Sequence, residues 1–139
     1  MPNLTTILQW DIIMYSLKTK WFSKWAKKQH LSDNTLLDVI EDMKKNLSSV
    51  NLGGGLFKVR VASLDSGKSS GFRTIIIYRE DDRAVIVYGF SKKEQDNLDK
   101  SELKSFKKMS KDILNLTHEE IKIAIQNKVF VKIGDENER

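Results

Sequence analysis

From residue 14 onward the apolar residues fall into blocks whose spacing changes with the element each block predicts. Met14 to Leu17 reads as a short strand. Trp21, Phe22, Trp25 and Ala26 then recur at helical spacing, with Lys24, Lys27 and Lys28 on the other side. Ser32 suits the N-cap of a second helix, because a hydroxyl there accepts from a free backbone N–H of the first turn. The apolar stripe of that helix runs through Leu36, Leu37, Val39, Ile40, Met43 and Leu47. Two helices so close in sequence predict an antiparallel hairpin. The tryptophans sit on its stripe, which makes them core anchors rather than base-stacking platforms. Ahead of this block, residues 1–13 place Leu4, Ile7, Leu8 and Ile12 at a short helical period. They read as an N-terminal extension before Met14.

After Asn51-Leu52-Gly53-Gly54-Gly55, which ends the helical region, the period becomes two. Phe57, Val59 and Val61 alternate with Lys58 and Arg60, the pattern of a half-buried strand. A polar, glycine-containing loop is expected from Ser63 to Gly71. Phe72 to Tyr78 and Ala84 to Phe90 then form a hairpin about a tight turn at Glu80-Asp81-Asp82. Both of these strands are apolar on two faces, so the sheet is expected to be covered on one side and to shield a groove on the other. Beyond Lys93 the helical period returns. Asp99 with Glu102 and Thr117 with Glu120 have capping-box spacing. Leu103, Phe106, Ser110, Ile113 and Leu114 mark one helix, and Ile121, Ala124 and Ile125 another. Val129 to Ile133 reads as a final strand and Gly134 to Arg139 as a polar tail. The class is α+β.

Length and composition narrow this to one domain. The chain has 139 residues, 40% hydrophobic and 31% charged, which fits a folded globular protein and not a disordered one. With no cysteine, disulfides, thiolate catalysis and cysteine-ligated zinc are excluded, and a reducing, cytoplasmic setting fits. Two histidines are too few for a histidine-rich metal site, so neither metal nor other cofactor is expected. The N-terminus lacks the pattern of a signal peptide, and no run of about 18 apolar residues exists to span a membrane.

The net charge of +5 is unevenly spread. Residues 58–93 hold eight basic against four acidic side chains, and Lys18, Lys20, Lys24, Lys27 and Lys28 follow one another with no acid between. This concentration suits a polyanionic partner or, equally, a solubilising face. Gly67-Lys68-Ser69 imitates the end of a phosphate-binding loop. Ala62 stands where that motif needs glycine, and a strand follows where it needs a helix N-terminus, so nucleotide hydrolysis is rejected.

A set of cations carried by strands is more informative. Lys58 and Arg60 are two apart and project from one face. Arg73 stands early on the next strand, while Lys92 and Lys93 leave the end of the third. If the strands are adjacent, four or five cations converge. RNA can be cut by its own 2′-hydroxyl attacking the adjacent phosphate, which needs a base, donors for the phosphorane oxygens and a proton for the leaving oxygen. Arginine clamps phosphate oxygens with two prongs, and a lysine crowded by cations releases its proton more readily. The same cluster is equally compatible with RNA binding alone.

The run Gly53 to Val61, then Gly67-Lys68-Ser69-Ser70-Gly71-Phe72-Arg73 through Arg79, then Asp82-Arg83-Ala84 and Tyr88 to Glu94, resembles the RelE/HigB-like toxins of bacterial type II toxin–antitoxin systems. The likeness covers roughly Lys18 to Ile133 and is most specific from Leu52 to Leu98. It implies a toxin domain over residues 14–133, built as an N-terminal helical hairpin packed on a twisted antiparallel β-sheet with additional C-terminal helices. It implies mRNA cleavage at the ribosome, so ribosome and mRNA are expected partners. A cognate antitoxin, a small helix-turn-helix protein encoded by the adjacent gene, is the other. Lys58, Arg60, Arg73 and Lys93 fall on the family's catalytic positions, and Lys68, Arg79, Lys92 and Phe90 are expected to bind RNA. Where the best-known members carry a tyrosine or histidine near the cleaved phosphate, this sequence has Asn97, Leu98 and Asp99. A ParE-like toxin that binds a topoisomerase without hydrolysis, and a plain RNA-binding module, are the alternative readings.

Overall fold

The computed structural model describes residues 14–63 and 67–134, with side chains described throughout these except at 62, 63 and 67–70. The extension over 1–13 and the tail from 135 onward lie outside the described residues. In chain order the elements are β1 (Tyr15–Thr19), α1 (Lys20–Lys28), α2 (Asp33–Lys44), β2 (Ser49–Gly53) and β3 (Leu56–Ser63). There follow β4 (Gly67–Arg79), β5 (Arg83–Ser91), α3 (Lys100–Leu114), α4 (His118–Gln126) and β6 (Phe130–Lys132). The strands form one sheet in the order β2-β3-β4-β5-β1-β6.

The sheet is not wholly antiparallel, which corrects the sequence expectation. β1 runs parallel to β5, with Tyr15 against Arg83 and Lys18 against Ile86. The remaining pairs are antiparallel. Two helices and three strands separate β1 from β5, a connection long enough to bring the chain back in the same direction. The helix α1 begins where β1 stops because Thr19 caps it: the Thr19 hydroxyl accepts from the Phe22 N–H at 3.1 Å. Ser32 caps α2 in the same way through the Thr35 N–H at 3.2 Å. Both capping boxes read from the sequence are formed, at the starts of α3 and α4.

Each face of the sheet has its own core. On one, Phe22, Ala26, Leu36 and Ile40 from α1 and α2 meet Val59, Val61, Ile76 and Ile86. On the other, Ile113 and Ile121 from α3 and α4 meet Leu56, Ile75, Ile77, Val85 and Phe130. Two-sided burial explains why β4 and β5 are apolar on both faces. It also corrects the expected groove: α3 and α4 occupy the central part of the second face. The helices α1 and α2 pack on strands, α1 against β5, β1 and β6 and α2 against β3.

Past the end of β1, α1 lies alongside the second half of β5, and the contact is unusually close. A Cβ added to Gly89 would meet the Trp25 ring at 2.4 Å, so only glycine lets that indole lie on the strand. Trp21 is not a core anchor as its position on the stripe suggested. It reaches the rim, 49% exposed, stacked on Tyr88 with ring centroids 4.9 Å apart. Leu47 falls beyond the end of α2 and is exposed. The residues expected to close the helical region instead belong largely to β2, paired with β3. Within the expected Ser63–Gly71 loop, β4 already begins at Gly67 and pairs with Ser63.

Candidate nucleic-acid interface

The strand alternation of β3 sends Lys58 and Arg60 to the face of α3 and α4, while Val59 and Val61 enter the core under α1 and α2. Register completes the cluster. Arg60 is directly opposite Arg73 on β4, and Lys58 is opposite Ile75. The three cations line one open depression of about 410 Å³, with Ser48, Ser49 and Val50 of the sheet edge as its other wall. No acidic side chain lines it among the described residues.

Each cation is held differently. The Lys58 ammonium donates to Asn97 Oδ1 at 3.2 Å, which ties it to the loop between β5 and α3. Arg73 is half-buried and makes a long contact from Nη1 to the Phe72 carbonyl, 3.5 Å. Its guanidinium therefore retains donors for an incoming anion. Arg60 is exposed at the rim. Gly71 permits the close approach of the strands here: a Cβ on it would meet the Val61 carbonyl oxygen at 2.9 Å. Lys92 and Lys93 lie exposed just beyond β5, with their backbone N–H groups bound to the Gly71 carbonyl and the Ser91 hydroxyl. Neither lines the depression. Three of the four expected catalytic residues thus come together, and Lys93 stands apart at the strand end.

The model of the RelE toxin of the RelE/RelB toxin–antitoxin system matches residues 14–133. The chain belongs to the RelE toxin family. No curated protein matches it. As a RelE-family toxin it is the toxic half of a toxin–antitoxin pair, and the family implies an antitoxin partner. Among the described residues no helix is long and apolar enough to cross a membrane.

Two of the residues expected to bind RNA in this RelE toxin lie away from the depression, in contacts of their own. Phe90 is buried in the core beneath α3, its ring 6.0 Å from that of Tyr88, so it offers no face to a base. Arg79 is at the far end of β4, roughly 20 Å along the strand from Arg73. It donates to Asp82 at 3.0 Å and to the Leu114 carbonyl. The side chain of Lys68 lies outside the described residues.

Several residues that shape the site were not singled out as such from the sequence. Ser48, Ser49 and Val50 were missed because β2 is mostly exposed and shows no alternation. Asn97 was noted only as a departure, yet it anchors Lys58. The loop that carries it is itself pinned. Tyr88 donates to Gln95 and Glu102, each at 3.3 Å, and Gln95 donates to Glu102 at 2.8 Å. Burial first, and then the Glu102 charge, push the Tyr88 phenol above its ordinary value, so it keeps its proton. The Asp99–Glu102 capping box was the sequence signal for this knot.

Proposed function

We propose that this RelE toxin is an endoribonuclease that cuts mRNA in the ribosomal decoding site and so inhibits translation. The supporting observation is the Lys58–Arg60–Arg73 cluster on one sheet face, with all three cations lining one depression. In this reading the 2′-oxygen bonds to phosphorus, the bond to the 5′-oxygen breaks, and a cyclic phosphate and a free 5′-hydroxyl result. Arg73 and Arg60 clamp the phosphate oxygens as their negative charge grows. Lys58 serves as the base for the 2′-hydroxyl proton, or else stabilises the departing oxygen. Lys93, Lys92 and Lys68 hold flanking phosphates at the strand ends. Neither a metal ion nor a covalent nucleophile is required by this route.

Asn97 cannot protonate a leaving oxygen, and the Tyr88 phenol is engaged with Glu102. The missing proton donor and the strained substrate geometry therefore come from the ribosome. A small antitoxin encoded beside the toxin, with a helix-turn-helix, silences it in the cytoplasm. The test is cleavage of a defined mRNA by purified protein, with and without programmed ribosomes. Cutting is expected only with ribosomes. Vigorous cutting of naked RNA, unchanged by ribosomes, overturns the mechanism. Induction of the chain alone should arrest growth, and co-expression of the adjacent gene should restore it.

A further inference from the structure

A second basic surface lies around β6, at the edge of the sheet opposite β2. Lys20, Lys24 and Lys27 are at positions i, i+4 and i+7 of α1 and form a row along one face of that helix. Lys128 and Lys132 bracket β6 and complete a depression of about 530 Å³. All five lysines are exposed. Lys18, deeper in the same wall, is neutralised by Asp33 at 2.7 Å. The floor is apolar, made by Ile125, Phe130 and Val131.

Lys20, Lys128 and Phe130 also line a neighbouring depression of about 570 Å³. Its other walls include Trp21, Met109 and Val129, three of the exposed large hydrophobic residues, Val129 being 55% exposed. The two depressions are therefore continuous, one apolar and one apolar with a lysine rim. Among the described residues no acidic side chain lines either.

We infer that this surface docks an acidic amphipathic helix of a protein partner, separately from the Lys58–Arg60–Arg73 site. The apolar side of such a helix covers Trp21, Met109, Val129 and Phe130, and its carboxylates meet the lysine row of α1. Carboxylates spaced one turn apart match lysines spaced one turn apart. A nucleic acid fits less well. The cations are all lysines, without the two-pronged geometry of arginine, and the aliphatic floor gives phosphate and sugar nothing to bond. Strand addition to β6 is disfavoured because the strand is three residues long and flanked by Lys128 and Lys132. This inference does not rest on the RNA-cleaving reading.

The test uses a designed acidic amphipathic peptide of roughly 20 residues, long enough to be helical, with leucines on one face and glutamates flanking them. Binding to the full chain is followed by tryptophan fluorescence and calorimetry. Controls are a peptide with the same leucines and lysine for glutamate, a glutamate peptide with serine for leucine, and a short RNA duplex. The acidic amphipathic peptide is expected to bind, and the Lys24→Glu/Lys27→Glu pair to weaken it roughly ten-fold or more. Val129→Ser should weaken it by a smaller factor, and both variants should keep the parent melting temperature. Failure of that peptide to bind, or binding insensitive to both variants, overturns the inference. So does tighter binding of the RNA duplex with the same dependence on Lys24 and Lys27. Ribosome-dependent cleavage by the Lys24→Glu/Lys27→Glu protein, measured alongside, keeps failure here distinct from failure at the RNA site.

Discussion

Arg73 and Arg83 stand on neighbouring strands of one sheet and have opposite fates. Arg73 is half-buried at the open end, with one long contact to a carbonyl. Arg83 is only 2% exposed. Its Nη1 donates to the carbonyls of Ile113 at 2.8 Å and Leu116 at 2.7 Å, and its Nη2 reaches Asp82. The first arginine keeps donors available for an anion; the second spends them on the C-terminal end of α3, whose last carbonyls have no helical partner. What separates them is whether a helix end arrives within reach.

The largest effect that tests this contrast is loss of Arg73. Arg73→Ala should reduce ribosome-dependent cleavage by roughly 10²–10³-fold per folded molecule, as for loss of one transition-state donor, while the melting temperature stays near that of the parent. Arg73→Lys should restore only part of the rate. If Arg73→Ala cleaves at the full rate, the proposed site is wrong.

Arg83→Leu should do the reverse. It strands the Ile113 and Leu116 carbonyls and removes a buried cation from Asp82, at a cost of roughly 3 kcal/mol in unfolding free energy. Denaturant titration would show the loss, and cleavage per folded molecule should be close to normal. A drop in cleavage without loss of stability would erase the distinction between the two arginines.

Gly89→Ala drives a methyl into the Trp25 ring and should cost roughly 1–3 kcal/mol, read by the same titration. No loss would mean that α1 shifts freely on β5.

Acid is expected to loosen the Arg83 end with a smaller effect. Partial burial of Asp82 opposes ionisation, but hydrogen bonds from Arg79 and His118 and the Arg83 charge together hold the carboxyl below its ordinary 3.8. A depressed carboxyl stabilises the fold above its unfolded value and loses that contribution as pH falls through the folded one. Hydrogen-exchange protection in α4 should therefore fall below pH 3.8 sooner than protection in β3. Equal loss in both would assign the acid sensitivity elsewhere.

Much of this architecture was legible because local chemistry dictated it. Alternation at Phe57 to Val61 placed Lys58 and Arg60 on one face, and Ser32, Asp99 and Thr117 announced their helices. What failed to show depended on distant segments. The parallel partner of β1 lies beyond three intervening strands, and β2 is too exposed to alternate. Phe90 and Trp21 changed places, so to speak: α3 and α4 bury the ring expected at the surface, while α1 overhangs the sheet edge and leaves at the rim the ring expected in the core. Nothing near Arg79 or Arg83 in the sequence announces the α3 carbonyls that claim them.

The position of β1 has a kinetic consequence. Tyr15 pairs with Arg83 and Leu17 with Lys132, so β1 lies between two strands that come much later in the chain. Such long-range closure makes folding slow and places it late on the pathway. A nascent chain can form the β3–β4–β5 meander early, but it has no completed sheet until β6 has left the exit tunnel. During synthesis, Leu17 and the apolar face of α1 stay without their neighbours until β5 and β6 have emerged.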